Sequence, residues 1–193
     1  MNKSRLEAFT DAIVAIILTI MVLEVKTPDS YQPDALVGDV PYFFAYAVSW
    51  LFILTAWYNH HYMFSLATHI RKSTFWLNCL WLFVMSFLPI ATSWTGRFIM
   101  HRAPAYFYLL VLVLWDTTYH ALSLDLARHN PEIASRITNM LVYRFIGTWY
   151  GYLLIGVEGV LVYFYPPSLL IITTVELITI AVRTPHDSDT LFN

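Results

Sequence analysis

The chain has 193 residues, of which 58% are hydrophobic, 17% aromatic and only 12% charged. That is about half the charge of a soluble domain, too little polar surface to cover a globule in water, so lipid is the solvent this composition fits. A net charge of −2 argues against a nucleic-acid partner, and a single cysteine, Cys79, excludes an intrachain disulfide and any multi-cysteine zinc site.

Six apolar segments follow one another, divided by proline, glycine and clusters of charge. The first runs from about Arg5 to Val25, and nothing in it resembles a signal-peptide cleavage site, so a retained helix is expected. A loop from Lys26 to Val40 holds Pro28, Pro33, Gly38 and the acids Asp29, Asp34 and Asp39. These acids either concentrate cations beyond the end of the first helix or simply solvate a loop. The second helix opens at Pro41, a residue suited to a first turn, and continues to about Leu66. The third spans about Thr74 to Trp94, with a kink expected at Pro89. Pro104 opens the fourth, which reaches about Ala127. After the polar stretch Arg128 to Asn139, a fifth helix is expected from about Met140 to Tyr165. Pro166 and Pro167 break it, and a sixth runs to about Val182.

The expected fold is therefore all-α and polytopic. A single six-helix transmembrane domain covers residues 1–183, and a polar tail covers 184–193. Spans near 20 residues match a hydrocarbon core of about 30 Å. With the N-terminus cytoplasmic, Lys3, Arg5, Arg71, Lys72, Arg128, Arg136, Arg144 and Arg183 lie inside and Lys26, Arg97 and Arg102 outside. That distribution satisfies the positive-inside rule and puts both termini in the cytoplasm. Tyr42, Trp57, Trp94, Tyr106, Tyr163 and Tyr165, near span ends, suit the membrane interfaces.

The first segment differs from the rest. Arg5, Glu7 and Asp11 stand at its start, and beyond them only Thr19 is polar before Glu24. Residues three and four apart share a helix face, so Phe9, Ala12, Ile16, Thr19 or Ile20, and Leu23 form one stripe. Asp11, Val14, Leu18, Val22 and Val25 are assigned to the opposite face. Around a symmetry axis the first stripe would give apolar rings that gate by dewetting, plus a ring of threonine oxygens. Ordinary helix packing also explains an apolar stripe.

The run RLEAFTDAIVAIILTIMVLEVKTP resembles the signature of the transmembrane-protein-175 family of potassium channels. That signature is an arginine, three residues, then Phe-Ser-Asp. Here it stands as Arg5, Phe9, Thr10 and Asp11, with threonine for serine. Trp57, His60 and His61 in the second helix, Asn78 in the third and Pro89 near its far end extend the resemblance. It implies a homotetramer in the inner (plasma) membrane of a prokaryote, each subunit giving its first helix to a central pore. By the same resemblance Ile16 is the main hydrophobic ring, Thr19 the hydroxyl layer, Leu23 a ring further out and Ile20 an additional constriction. Potassium would pass along Ile16, Thr19 and Leu23 with no cofactor and no catalytic residue. Arg5, Thr10 and Asp11 would join a polar network with Trp57, His60 or His61, and Asn78. A plain helix start, with Thr10 or Asp11 as N-cap, is the competing explanation for that signature.

His60 and His61 are adjacent, point about 100° apart on a helix and are poorly placed to ligate one ion. Asp116 and His120 lie one turn apart in the fourth segment, and Glu158 and Glu176 stand alone in the fifth and sixth. Intramembrane ionisable groups are functional candidates, so a secondary ion or proton-coupled transporter using these residues is the alternative to a channel. Packing or subunit contacts are the expected role for all four. An enzyme would need a clustered nucleophile or ligand set, and none is visible.

Overall fold

A computed structural model of the chain describes residues 2–25, 27–28, 30–33, 35–146 and 148–183. The backbone of 144–146 is included but not their side chains. The tail from Thr184, Lys26 and the acids Asp29 and Asp34 lie outside the described residues.

The described residues form helices throughout: α1 (Lys3–Leu23), α2 (Ala35–Gly38), α3 (Val40–Leu66), α4 (Lys72–Met85), α5 (Leu88–Arg97), α6 (Arg102–His129), α7 (Ala134–Thr138), α8 (Leu141–Ile146), α9 (Trp149–Phe164) and α10 (Ser168–Arg183). Among these residues four stretches are long and apolar enough to cross a membrane: α1, α3, the α4–α5 pair taken together, and α6.

α1 starts at Lys3, about two turns before Thr10 and Asp11. Asn2 is its N-cap, its Oδ1 accepting from the Ser4 backbone N–H at 3.0 Å and from the Ser4 hydroxyl at 2.7 Å. Thr10 and Asp11 are therefore interior helical residues, and the helix-start explanation of the motif does not hold. At 21 residues α1 rises about 31 Å, enough for a hydrocarbon core.

The third apolar segment breaks where Pro89 requires it. α4 ends at Met85, four residues before Pro89, where the pyrrolidine ring would meet a carbonyl and no N–H exists to bond it. Ser86 and Phe87 form the joint, and Pro89 sits in the first turn of α5. Beyond it, α5 closes on α3 at Gly96. A Cβ there would stand 2.9 Å from the Tyr42 Cα, so only a glycine permits this approach.

The fifth segment is not one helix. Thr148 is extended (φ −117°, ψ 159°) and separates α8 from α9. A β-branched residue with N-cap preference starts a new helix more readily than it continues one. α9 and α10 have 16 residues each, a rise of about 24 Å, less than the four long spans provide.

The core lies between α3, α4 and α6 and is largely aromatic. The Trp81 ring, fully buried, lies parallel to the His60 imidazole with centroids 4.8 Å apart, and His60 stacks on Phe64 at 4.1 Å. Trp81 continues to Trp115 and Tyr119 of α6, which stack at 5.1 Å, and Phe52 of α3 meets Trp115 edge-on at 4.7 Å. α1 packs on α3, α4 and α5, whereas α10 packs on α3 and α9.

Candidate functional site

α1 presents two faces of different character. Leu6, Thr10, Val14, Ile17 and Met21 are buried against the rest of the chain. Phe9, Ala12, Ile16, Thr19, Ile20 and Leu23 are exposed, Ile16 by 55% and Leu23 by 80%. Of the residues assigned to the opposite face, Val14 is buried and Leu18 half-buried, but Asp11 and Val22 are exposed. The buried stripe follows the 3.6-residue repeat from Leu6, one position away from the series the spacing first suggests. Thr19 Oγ1 donates to the Ile16 carbonyl at 2.8 Å. Its hydrogen is used within the helix, so its lone pairs are what remains for any species outside.

The buried face is anchored by a polar chain across three helices. Thr10 Oγ1 donates to the Leu6 carbonyl at 3.0 Å and accepts from Asn78 Nδ2 of α4 at 2.8 Å. With its amide nitrogen spent there, Asn78 presents Oδ1 to His60 Nε2 of α3, 2.8 Å away. An amide oxygen only accepts, so the contact requires His60 to carry its proton on Nε2. All three side chains are buried. In lipid such groups need partners within the protein, and here each finds one.

A second, more exposed contact lies beside it. Trp57 Nε1 donates to Asp11 Oδ1 at 2.7 Å, and the Trp57 ring stacks on His61 at 5.8 Å. His60 and His61 thus serve different partners: His60 the Asn78–Thr10 chain, His61 the Trp57–Asp11 contact. Arg5 is exposed and makes no hydrogen bond or ion pair with the described residues. Phe9, also exposed, takes no part in the polar chain.

Asp116 and His120 do not pair. Asp116 faces a cavity also lined by Glu158 and Glu176, while His120 packs against the Tyr143 ring at 5.0 Å. Two further polar clusters involve residues outside the sequence-predicted site. Ser49 Oγ and Tyr108 Oη lie 2.6 Å apart, and Thr92 Oγ1 donates to Ser49 Oγ at 2.7 Å, tying α3, α5 and α6 together. Asn130, buried at the end of α6, accepts through Oδ1 from the backbone N–H groups of Thr68 and His69 at 3.0 and 2.8 Å. Its Nδ2 donates back to the His69 carbonyl at 3.1 Å. A lone asparagine after an Arg-His pair was the available signal, since an amide offers both donors and acceptors to a turn.

A family model described as the endosomal/lysosomal potassium channel TMEM175 matches residues 5–89. A potassium channel of Chryseobacterium sp. (strain P1-3) is 37% identical over 132 residues, covering 68% of this chain and 69% of that protein. The Bos taurus protein named endosomal/lysosomal proton channel TMEM175 is 34% identical over 113 residues, 51% of this chain and 23% of its own length. The crystal structure of a lysosomal potassium-selective channel TMEM175 homolog from Chamaesiphon minutus superposes with a TM-score of 0.79 at 27% identity, covering 94% of this chain and 97% of that one. With these helices and this extent of identity, the chain belongs to the TMEM175 family, a family of membrane ion channels and not of enzymes.

Proposed function

We propose that this protein is a potassium-permeable cation channel in which four copies surround an axis and each contributes α1 to the pore. The observation that carries this reading is the division of α1 into a face buried in its own subunit and an exposed face bearing Phe9, Ala12, Ile16, Thr19, Ile20 and Leu23. The same helix turns carry Arg5 and Asp11, both exposed, and charged groups are costly against lipid tails, so a protein or water neighbour suits this face better.

In this arrangement Ile16 forms the narrow hydrophobic ring, Thr19 a ring of oxygens with outward lone pairs, Ile20 a further constriction and Leu23 the outer ring. Passage is passive: a cation crosses the apolar rings when they are hydrated and is blocked when they dewet. The Thr10–Asn78–His60 chain and the Trp57–Asp11 contact hold α1 in register and act on conduction indirectly. The protein resides in the inner (plasma) membrane of a prokaryote, with residues 1–183 as the transmembrane unit and both termini cytoplasmic. It needs no cofactor beyond the permeant ion. Because the mammalian relative is named a proton channel, proton flux belongs in the same assay.

Purified protein in liposomes tests this directly. Passive potassium flux is expected, with sodium flux smaller. Ile16→Asn hydrates the apolar ring, so conductance rises and the potassium-to-sodium permeability ratio falls toward one. Unchanged currents from an intact Ile16→Asn tetramer would remove Ile16 from the pore. Flux that saturates and depends on a driving proton gradient would replace the channel by a transporter.

A further inference from the structure

On the side of α3 that meets α10, a cavity of about 90 Å³ lies among α3, α6, α9 and α10. Three carboxyl groups from three helices line it: Asp116 of α6, Glu158 of α9 and Glu176 of α10. Asn59 and Thr173 add neutral polar groups, and most of the remaining wall is apolar. Among the described residues, no lysine, arginine or histidine lines it.

The polar atoms here are left over by the fold. Glu158 is only 5% exposed, yet its Oε1 has no hydrogen-bond partner among the described residues, and the same holds for Thr173 Oγ1 at 3% exposure. Asn59 does not compensate: one of its two Nδ2 hydrogens goes to the Thr55 carbonyl at 2.8 Å, and Glu158 Oε1 receives neither. A buried carboxyl group demands either a proton or a positively charged neighbour. Three of them around one cavity therefore favour an occupant that carries N–H donors and positive charge.

The shape of the site narrows that class. Among the described residues no three His, Cys, Asp or Glu side chains converge closely enough to hold a metal ion, and hard cations want about six or more oxygens. The cavity is roomy enough for several waters, a space that a short alkyl chain also fits. Phe52 and Trp115, edge-to-face at 4.7 Å, offer aromatic surface of the kind that attracts ammonium groups. A groove lined by Leu54, Trp57, Tyr58 and Ala181 adjoins the cavity on the α3–α10 side and shares Thr55 and Asn59 with it.

We propose that this cavity binds a small primary alkylammonium ion. Its N–H donors address the Glu158 carboxyl group, with Asp116 and Glu176 on the same cavity wall adding negative charge nearby, and its alkyl tail lies on the apolar wall. This site is separate from the α1 face and does not depend on the pore assignment.

The test is thermal unfolding of the purified protein in detergent with n-butylammonium chloride, n-butanol or potassium chloride, the salts at equal ionic strength. A saturable rise in Tm with butylammonium, absent with the other two, is the expected result, since a ligand bound to the folded state stabilises it by mass action. Glu158→Gln and Glu176→Gln keep side-chain volume and remove one charge each, and each weakens the apparent Kd by about tenfold. Glu24→Gln, at the exposed end of α1, leaves it unchanged. If Glu158→Gln fails to fold, the half-buried Glu176→Gln decides the matter. An equal rise with butanol would reduce the site to an apolar hole, and an equal rise with potassium would make it an inorganic-ion effect. Either result, a response retained in both glutamine variants, or no rise at all overturns the proposal.

Discussion

Replacing Asn78 by leucine keeps the branched outline of the side chain, with bulkier methyl ends, and deletes both of its hydrogen bonds, each 2.8 Å long. The consequences at the two ends differ. Thr10 keeps its own donor bond to the Leu6 carbonyl, so it loses only an incoming N–H. His60 loses the acceptor for its Nε2 proton in a site that is 2% exposed and walled by Phe64 and Trp81. A hydrogen bond between membrane helices averages about 0.6 kcal/mol and reaches about 1.7. An orphaned buried donor costs about 1–3 kcal/mol. Asn78→Leu should therefore destabilise the fold by about 2–3 kcal/mol. Thr10→Val, which strands only one amide hydrogen of Asn78, should cost about 1–2 kcal/mol. The two changes share one bond, so the double variant should cost about 1 kcal/mol less than the sum. Reversible unfolding in mixed micelles measures all three. If Asn78→Leu lies within about 0.5 kcal/mol of the parent, or if the costs simply add, the chain does not anchor α1 in the way its geometry indicates.

Two further changes test the packing around that anchor. Asn130→Ala removes the acceptor for two consecutive backbone N–H groups, at Thr68 and His69, and should cost about 2–3 kcal/mol with faster hydrogen exchange confined to those amides and their neighbours. Gly96→Ala drives a methyl group to 2.9 Å from the Tyr42 Cα and should cost about 1–3 kcal/mol by prising α5 from α3, read as a lowered Tm.

The elements most legible in the sequence are those governed by local chemistry. Pro89 removes a donor and clashes one turn back, so α4 ends at Met85 whatever surrounds it. The division of the fifth segment was not legible, because apolar residues continue on both sides of Thr148 and periodicity registers no interruption. For the candidate site, the exposed stripe of α1 followed from helical spacing. The partners of Thr10 did not, since Asn78 lies 68 residues away and only the family resemblance associated them. Asp116, Glu158 and Glu176 each stood out as lone acids, but their meeting at one cavity depends on how α9 and α10 pack.

The polar residues within the spans show why this division arises. A hydroxyl can satisfy itself without leaving its helix: Thr117, Ser123, Thr174 and Thr179 all donate to the carbonyl four residues back. Such residues cost little in lipid and say nothing about which helices meet. A side chain with several donors and acceptors has more to satisfy than its own helix supplies. Asn78 and His60 must look across to other helices, and the direction in which they look decides the contact of α1 with α3 and α4. Asn59 donates to its own helix through Nδ2 and lies beside the cavity of three carboxyl groups. Thr10 does both, bonding locally to Leu6 and receiving Asn78. A valine there would keep the shape of α1 and lose its orientation, which is why a hydroxyl in this position matters to a helix whose other face is exposed.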